Sequence, residues 1–138
     1  MLSVGIPAYN SNVSELLSAL ADQASHLPEV LEIIVLDDAS EAPILPEGFV
    51  APKVRVLRHT LNQGRSKTRN HIASEAKSPW ILFIDGDSGI HDGLFLRRWC
   101  DYLASTSASV VVGGSDYQTT RPSSDLFLRW HVSRMREQ

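Results

Sequence analysis

The sequence has a single cysteine, Cys100, among its 138 residues, and it lacks any apolar run long enough to cross a bilayer as a helix. One thiol excludes an intrachain disulfide and a cysteine-based zinc cluster, which fits a reducing compartment. The longest apolar runs, residues 33–36 and 80–84, predict buried strands instead. No basic segment precedes an apolar stretch at the amino terminus, as a signal peptide would require. We therefore expect a cytoplasmic protein without a membrane span, either free or peripheral to the inner face of the membrane.

The sequence also lacks an excess of positive charge. Thirteen lysines and arginines stand against 16 aspartates and glutamates, which gives a formal net charge of −3. Proteins that bind nucleic acid typically present a basic surface, so we do not expect nucleic acid as a partner. Apolar residues make up 43% and charged residues 21%, the balance of a globular chain rather than a disordered one.

Apolar and amphipathic segments alternate along the chain. Five apolar runs predict strands, at residues 2–6, 31–36, 53–58, 80–84 and 109–112. Three amphipathic segments predict helices, at about residues 12–24, 64–76 and 92–104. Asn12 and Glu15 form a capping-box pattern at the first helix, and Pro7 should end the first strand because proline cannot donate to a central ladder. The alternation predicts an α/β domain with a mostly parallel sheet and helices on both faces.

We expect residues 1–115 to form this domain and residues 116–138 to form a carboxyl-terminal extension. Residues 123–136 are compatible with a helix that has Leu128 and Met135 on its apolar side. That side would pack on the sheet of this chain or on chain beyond Gln138. The same segment is where we would expect a homo-oligomer to form.

Polar residues follow the predicted strands, where an open parallel sheet binds its ligands. They are Pro7, Ala8, Tyr9 and Asn10 after strand one, Asp37 and Asp38 after strand two, Asp85, Gly86 and Asp87 after strand four, and Gly113 and Gly114 after strand five. In extended geometry Asp85 and Asp87 leave the same face, and Gly86 lets a ligand approach the backbone. Two carboxylates suit Mg²⁺ or Mn²⁺ together with a phosphate-bearing substrate. The alternative is that the triplet is an ordinary turn.

Other residues near these strand ends suit a nucleotide. One of Asp37 and Asp38 can face the crevice and accept the imide N–H of a uracil base, while the other serves the turn. Tyr9 would stack on that base or, alternatively, pack at the strand end. Arg65 and Arg69 share a helix face after Gly64 and suit a diphosphate, whereas Lys67 belongs on a solvated face. The histidines have no metal-ligand spacing and are expected at surface or loop positions: His26, His59, His71, His91 and His131.

Four ordered segments, residues 3–10, 32–40, 62–70 and 83–87, resemble the amino-terminal half of the family-two glycosyltransferases, which are inverting enzymes of the GT-A fold. The resemblance extends over about the first 115 residues. It implies a Rossmann-like domain that binds a UDP- or GDP-linked sugar. The sequence departs from the family pattern at Ser88, where a further aspartate is frequent, and at His71, where a glycine is common.

The resemblance also implies roles for individual residues. The segment from Pro7 to Tyr9 would hold the base with Asp38, Arg69 would support the diphosphate, and Asp85 to Asp87 would match the DxD motif. Asp87 would bind Mn²⁺ or Mg²⁺ directly, with Asp85 near the ribose or behind the metal ligands. The expected nucleotide-sugar-binding set is Pro7, Ala8, Tyr9, Asn10, Asp38, Gly64, Arg65, Arg69, Asp85, Gly86 and Asp87.

The implied reaction transfers the sugar, with inversion, to a hydroxyl of a glycan or lipid-linked acceptor, as in polysaccharide biosynthesis. The metal would stabilise charge on the departing diphosphate. The general base comes from a later segment in the family and is expected beyond Gln138, so no catalytic residue is assigned.

Two alternatives remain. Residues 82–88 resemble the hydrophobic-Asp-x-Asp signature of haloacid dehalogenase-type phosphatases, although that motif should open the domain on its first strand. The second alternative is a non-catalytic binding or assembly module that docks through residues 123–138.

Overall fold

The computed structural model describes residues 1–114. The chain divides into two compact units, Met1–Thr106 and Ser107–Gln138. The first unit contains β1 (Leu2–Ala8), α1 (Ser14–Ser25), β2 (Val30–Asp37), β3 (Val54–Arg58), α2 (Arg65–Glu75), β4 (Trp80–Phe83) and α3 (Phe95–Ser105). The predicted helix at residues 123–136 lies outside the described residues. None of the three helices has the length and apolar content that a bilayer span requires.

The four strands form one sheet in the order β3-β2-β1-β4, and every neighbouring pair is parallel. This confirms the predicted α/β class. β2 is buried at every position except Leu31, as its uninterrupted apolar run predicted.

Helices cover both faces of the sheet. α1 and α3 pack on the face that carries Ile33 and Val35. α2 packs on the opposite face, where Ile72 joins Ile34 and Leu36. Successive residues of a strand point to opposite faces, so the apolar run of β2 supplies both layers of the core.

α2 lies close to β1 because Gly5 has no side chain. A Cβ built at Gly5 would lie 2.7 Å from Cγ2 of Ile72 and 3.1 Å from the ring of Phe83. Ile72 is fully buried, so it has little room to retreat. Glycine at this position therefore sets the distance between α2 and the sheet.

The prediction that Pro7 ends β1 is wrong, because Pro7 lies inside the strand and pairs with Leu36. Pairing with β4 ends at Gly5 and Phe83, and the N–H of Ile84 donates to the carbonyl of Gly5. Alternate residues of a strand bond to the same neighbour, so the nitrogen of Pro7 faces the β4 side after that ladder has ended. No hydrogen bond is lost there.

The capping-box prediction is also wrong. α1 begins at Ser14, and no side chain caps it. Oδ1 of Asn12 instead accepts a bond from the N–H of Ser14 at 2.9 Å and from its hydroxyl at 2.6 Å, a local turn. Glu15 lies in the first turn, where the helix dipole favours a carboxylate.

The predicted fifth strand is absent from the part of the second unit that the structure describes. Residues 109–112 have no assigned strand, and Val110 and Val112 are exposed. β-Branched residues favour extended backbone, but a strand forms only with a paired neighbour. Gly113 and Gly114 therefore follow no strand end.

Candidate functional site

The three segments at the carboxyl ends of β1, β2 and β4 lie at the same edge of the sheet, as predicted. β1 lies between β2 and β4, and all three strands are parallel. The segments at residues 7–10, 37–38 and 85–87 therefore occupy neighbouring positions. The parallel topology thus brings these candidate residues of the first unit to a single edge.

Gly86 packs directly against the end of β1. A Cβ at Gly86 would lie 3.1 Å from Cγ1 of Val13, 3.3 Å from the carbonyl oxygen of Pro7 and 3.5 Å from Cβ of Ala8. The expectation that this glycine opens the backbone to a ligand is wrong on that side, because protein atoms fill the space. Gly86 instead lets the acidic segment touch β1.

The backbone from Asp85 to Ser88 forms a turn, since the N–H of Ser88 donates to the carbonyl of Asp85 at 3.0 Å. The expected extended geometry of Asp85 and Asp87 is therefore wrong, and the turn alternative describes the backbone. Asp87 is exposed, and Asp85 is partly buried. The two carboxylates consequently differ in their surroundings.

Two arginines from α2 hold the carboxylate of Asp85. Nη2 of Arg65 lies 2.5 Å from Oδ2, and Nη2 of Arg69 lies 2.7 Å from Oδ1. The four-residue spacing places both guanidinium groups on one helix face, as predicted. The guanidinium of Arg69 also lies over the ring of Phe83, 5.5 Å from its centroid. Its Nε is buried and has no hydrogen-bond partner among the described residues.

Asp38 is buried and holds the start of α2. Its Oδ1 accepts the N–H of Gln63 and its Oδ2 accepts the N–H of Gly64, both at 2.8 Å. Nδ1 of His59 lies 2.7 Å from Oδ1. Burial raises the pKa of Asp38, but the bonds from His59, Gln63, Gly64 and the Thr68 hydroxyl outweigh it and lower the pKa. Asp38 is therefore an anionic anchor for this helix start.

Asp37 serves the turn after β2, as one of the two aspartates was expected to do. Its Oδ1 accepts the N–H of Ser40 at 2.9 Å, and its Oδ2 lies 3.4 Å from Nε of Arg58. Arg58 also donates to the carbonyl of Ser40 at 2.7 Å. These bonds fix the loop that follows the second strand.

The loops after β1 and β2 are joined through Asn10. Its N–H donates to Oγ of Ser40 at 2.8 Å, and its Oδ1 accepts the N–H of Glu41 at 2.9 Å. Asn10 and Ala39 both adopt left-handed backbone, with φ of 51° and 62°. The side-chain oxygen of Asn10 thus bonds within the protein. Tyr9, immediately before it, is 48% exposed, which does not favour the packing alternative.

His59 is a site residue that the sequence interpretation missed. Its side chain is only 13% exposed, and it lies in the loop that follows β3, which agrees with the loop expectation. Its Nε2 lies 2.8 Å from Nδ1 of His71, and the two rings are nearly parallel, at 16°, with centroids 5.1 Å apart. His59 directly follows β3 (Val54–Arg58), so the strand-end rule used for the aspartates would have singled it out.

A divalent ion fits the donor chemistry of the acidic turn only if a ligand completes the coordination. No three residues among His, Cys, Asp and Glu in the described chain could hold an ion together. Both oxygens of Asp85 bond to arginines, and Asp87 adds an exposed carboxylate, a hard oxygen donor, at this edge. Mg²⁺ and Mn²⁺ accept one or two carboxylates with phosphate oxygens and water, so the residues fit an ion shared with a phosphate-bearing ligand.

The sequence profile described as "Glycosyl transferase family 2" matches residues 3–135. An "Uncharacterized glycosyltransferase" of Haemophilus influenzae is 37% identical over 89 residues, which cover 63% of this chain and 29% of that protein. The poly(ribitol-phosphate) beta-glucosyltransferase of Bacillus spizizenii is 33% identical over 120 residues, which cover 81% of this chain and 18% of that protein. The chain thus spans less than a third of either relative.

Among solved structures, the chain is similar to residues 1–349 of TarS from S. aureus. The two are 28% identical, with a TM-score of 0.59, and the match covers 75% of this chain and 32% of that one. TarS has also been solved in complex with UDP and in complex with UDP-GlcNAc.

Proposed function

The chain belongs to glycosyltransferase family 2 and has the GT-A fold of TarS, and from that premise we propose that it binds the donor in a metal-assisted, inverting sugar transfer. The donor would be a UDP- or GDP-linked sugar, and the acceptor a hydroxyl of a glycan or lipid-linked molecule. TarS, whose structures hold UDP and UDP-GlcNAc, supports the nucleotide-sugar assignment. We assign no general base among the described residues.

The observation that carries this proposal is the pair of arginines on Asp85. Arg65 and Arg69 place two guanidinium groups at the end of β4, and the exposed ring of Tyr9 follows the neighbouring strand β1. Guanidinium groups bind phosphate oxygens in a fixed geometry, and an aromatic ring stacks on a base. A nucleoside diphosphate offers a binding partner to each kind of group.

We assign the parts of the donor as follows. Tyr9, with the backbone of Pro7 and Ala8, would hold the base, and Arg65 and Arg69 would hold the diphosphate. Negative charge grows on that diphosphate as the sugar departs, so positive charge placed there in advance lowers the barrier. Asp85 would then face the ribose side of the donor.

Asp38 and Gly64 would act mainly through the helix start that they form together. The expected contact of Asp38 with the base stays a prediction. Asp87 would hold Mg²⁺ or Mn²⁺ with the donor diphosphate, and the ion would supply Lewis-acid stabilisation of the leaving group.

The phosphatase alternative has no support from the fold. The acidic turn follows the fourth strand in chain order, and β4 lies at an edge of the sheet that residues 1–114 form. A phosphatase of that type needs its nucleophile at the end of the first strand. Here the first strand ends at Ala8.

Isothermal titration with UDP and with GDP, each with and without MnCl₂, tests the proposal. We expect one nucleotide to bind, and to bind more tightly with Mn²⁺. Asp87→Asn should remove the effect of Mn²⁺, because a neutral amide is a poor ligand for a hard cation. Asp101→Asn, an exposed aspartate on α3, is the matched control and should keep that effect. No binding of either nucleotide by the wild-type chain would refute the proposal.

A further inference from the structure

His59 joins a buried carboxylate to a second imidazole ring. A carboxylate only accepts hydrogen bonds, so Nδ1 of His59 carries a proton that it donates to Asp38 at 2.7 Å. Nε2 of His59 faces Nδ1 of His71 at 2.8 Å. The result is a continuous hydrogen-bond chain, Asp38–His59–His71, that runs from the end of β2 to the exposed face of α2.

The bond between the two rings limits how many protons the pair can hold. One of the two facing nitrogens must donate and the other must accept, so one of them has no proton. A singly protonated pair keeps the bond, whereas a doubly protonated pair places two N–H groups and two positive charges against each other. A second proton on His59 and His71 therefore breaks the contact between the rings.

The charges around the pair come from three elements. Asp38 at the end of β2 attracts the first proton, while Arg58 of β3 directs its guanidinium away to Asp37 and the Ser40 carbonyl. On α2, Lys67 lies one turn before His71 and Glu75 one turn after it, and Glu75 pairs with Arg55. Asp38 therefore contacts the pair through His59.

This chain matters to the site because of what Asp38 holds. Asp38 accepts the N–H groups of Gln63 and Gly64, which directly precede Arg65 in the chain. Gly64 has a φ of 83°, so a defined backbone conformation precedes the helix. Arg65, the first residue of α2, bonds to Asp85 at the acidic turn. The position of the Asp38 carboxylate therefore affects the position of Arg65, an arginine of the proposed donor site.

We propose that His59 is a positioning residue for the nucleotide donor, and that His71 makes its action dependent on protons. Addition of a second proton to the pair separates the rings, removes the bond that joins His59 to α2 and loosens the start of that helix. Donor affinity then falls as the pair takes up the second proton. This inference rests on the proposed function for the identity of the ligand. The structural step, which is the loosening of the start of α2, does not depend on that function.

The structural step is tested without a ligand, by amide hydrogen exchange of Gln63 and Gly64 measured by NMR. In the wild-type chain, the protection factors of both amides should fall about tenfold between pH 7.5 and 5.5, the loss of one charge-assisted bond. His71→Phe keeps an aromatic ring without a titrating group and should flatten this dependence. His59→Asn should lower both protection factors at every pH. His26→Asn, at the carboxyl end of α1, is the control and should behave as wild type.

The functional step is tested by titration with UDP in excess MnCl₂ at the same pH values. The ratio of the wild-type Kd to the His71→Phe Kd should rise about tenfold from pH 7.5 to 5.5. The protonation of UDP itself cancels in this ratio. A merely structural role for His59 would weaken binding without changing its pH profile.

The possible results separate the two proposals. Protection factors and Kd ratios that do not change with pH would overturn the inference, whether or not UDP binds. If amide protection follows the expected pattern but neither UDP nor GDP binds to the wild type, the proposed function fails and the role of His59 in holding Asp38 stands. Normal UDP binding with an unchanged pH profile in His71→Phe overturns the inference alone.

Discussion

Replacement of Lys53 with methionine should lower the free energy of unfolding by about 3 kcal/mol. Nζ of Lys53 donates to the carbonyls of Ala24, Leu27 and Val30, each at 2.8 Å. A hydrogen bond to a charged group contributes roughly 1.5 to 3 kcal/mol, which for three bonds gives an upper range near 5 to 9 kcal/mol. Lys53 is only partly buried, so water replaces part of what is lost and the expected cost falls to about 3 kcal/mol.

Methionine suits this test because it keeps most of the stem of the side chain. Lys53 also has a φ of 62°, and both residues have the same strain at that position, so the comparison isolates the ammonium group. Urea unfolding followed by circular dichroism gives the free energy, and thermal unfolding should show a Tm about 9 °C lower, at roughly 3 °C per kcal/mol.

Lys67→Met is the matched control, because Lys67 is exposed on α2 and its ammonium group donates one hydrogen bond, of 3.4 Å, to Gln63. Its effect should stay within about 0.5 kcal/mol. Equal losses for the two variants would refute the reasoning, since they would show that the three carbonyls at the end of α1 do not need the ammonium group.

Three further changes test other parts of the structure. Gly5→Ala should cost about 1 to 3 kcal/mol in urea unfolding, because the new Cβ lies 2.7 Å from Ile72, whereas Gly89→Ala meets nothing within 4 Å and should be nearly neutral. For Glu32, burial raises the pKa but bonds from the Lys77 N–H, the Ser3 hydroxyl and Arg55 outweigh it, so the pKa lies below its ordinary value of 4.5. Its contribution to stability is therefore full above pH 4.5 and lost as the pH falls below that value; urea midpoints from pH 7 to 3 should show a decline that Glu32→Gln flattens. Arg69→Gln should weaken UDP binding about tenfold in titration calorimetry, since it removes one charged donor, and an unchanged Kd would contradict the diphosphate assignment.

The parallel sheet and its polar edge were predictable because they follow from local patterns. The buried run of β2 and the position of Asp85 after β4 needed only apolar continuity and the strand-end rule. The same reasoning predicted a strand at residues 109–112, and that prediction is wrong. Their composition suits a strand, but pairing depends on a neighbour that no local pattern identifies.

The contacts within the site were harder to predict because they join distant parts of the chain. Asp38 reaches Gln63 across 25 residues, and Arg65 reaches Asp85 across 20. The sequence pattern places each residue at this edge of the sheet but does not show which donor bonds to which acceptor. The contact of Asp38 with a base therefore stays a prediction, and the sequence does not reveal the bonds of its carboxylate to the start of α2 and to His59.

The hydrogen bonds of Asn10 to Ser40 and Glu41 link the loop after β1 to the loop after β2. Neither loop can move away from the edge of the sheet without breaking these two hydrogen bonds, so we expect the two loops to move together. The conformational entropy of these loops is therefore lost when the chain folds. A ligand that binds at this edge does not have to order them, so its binding is not weakened by that cost.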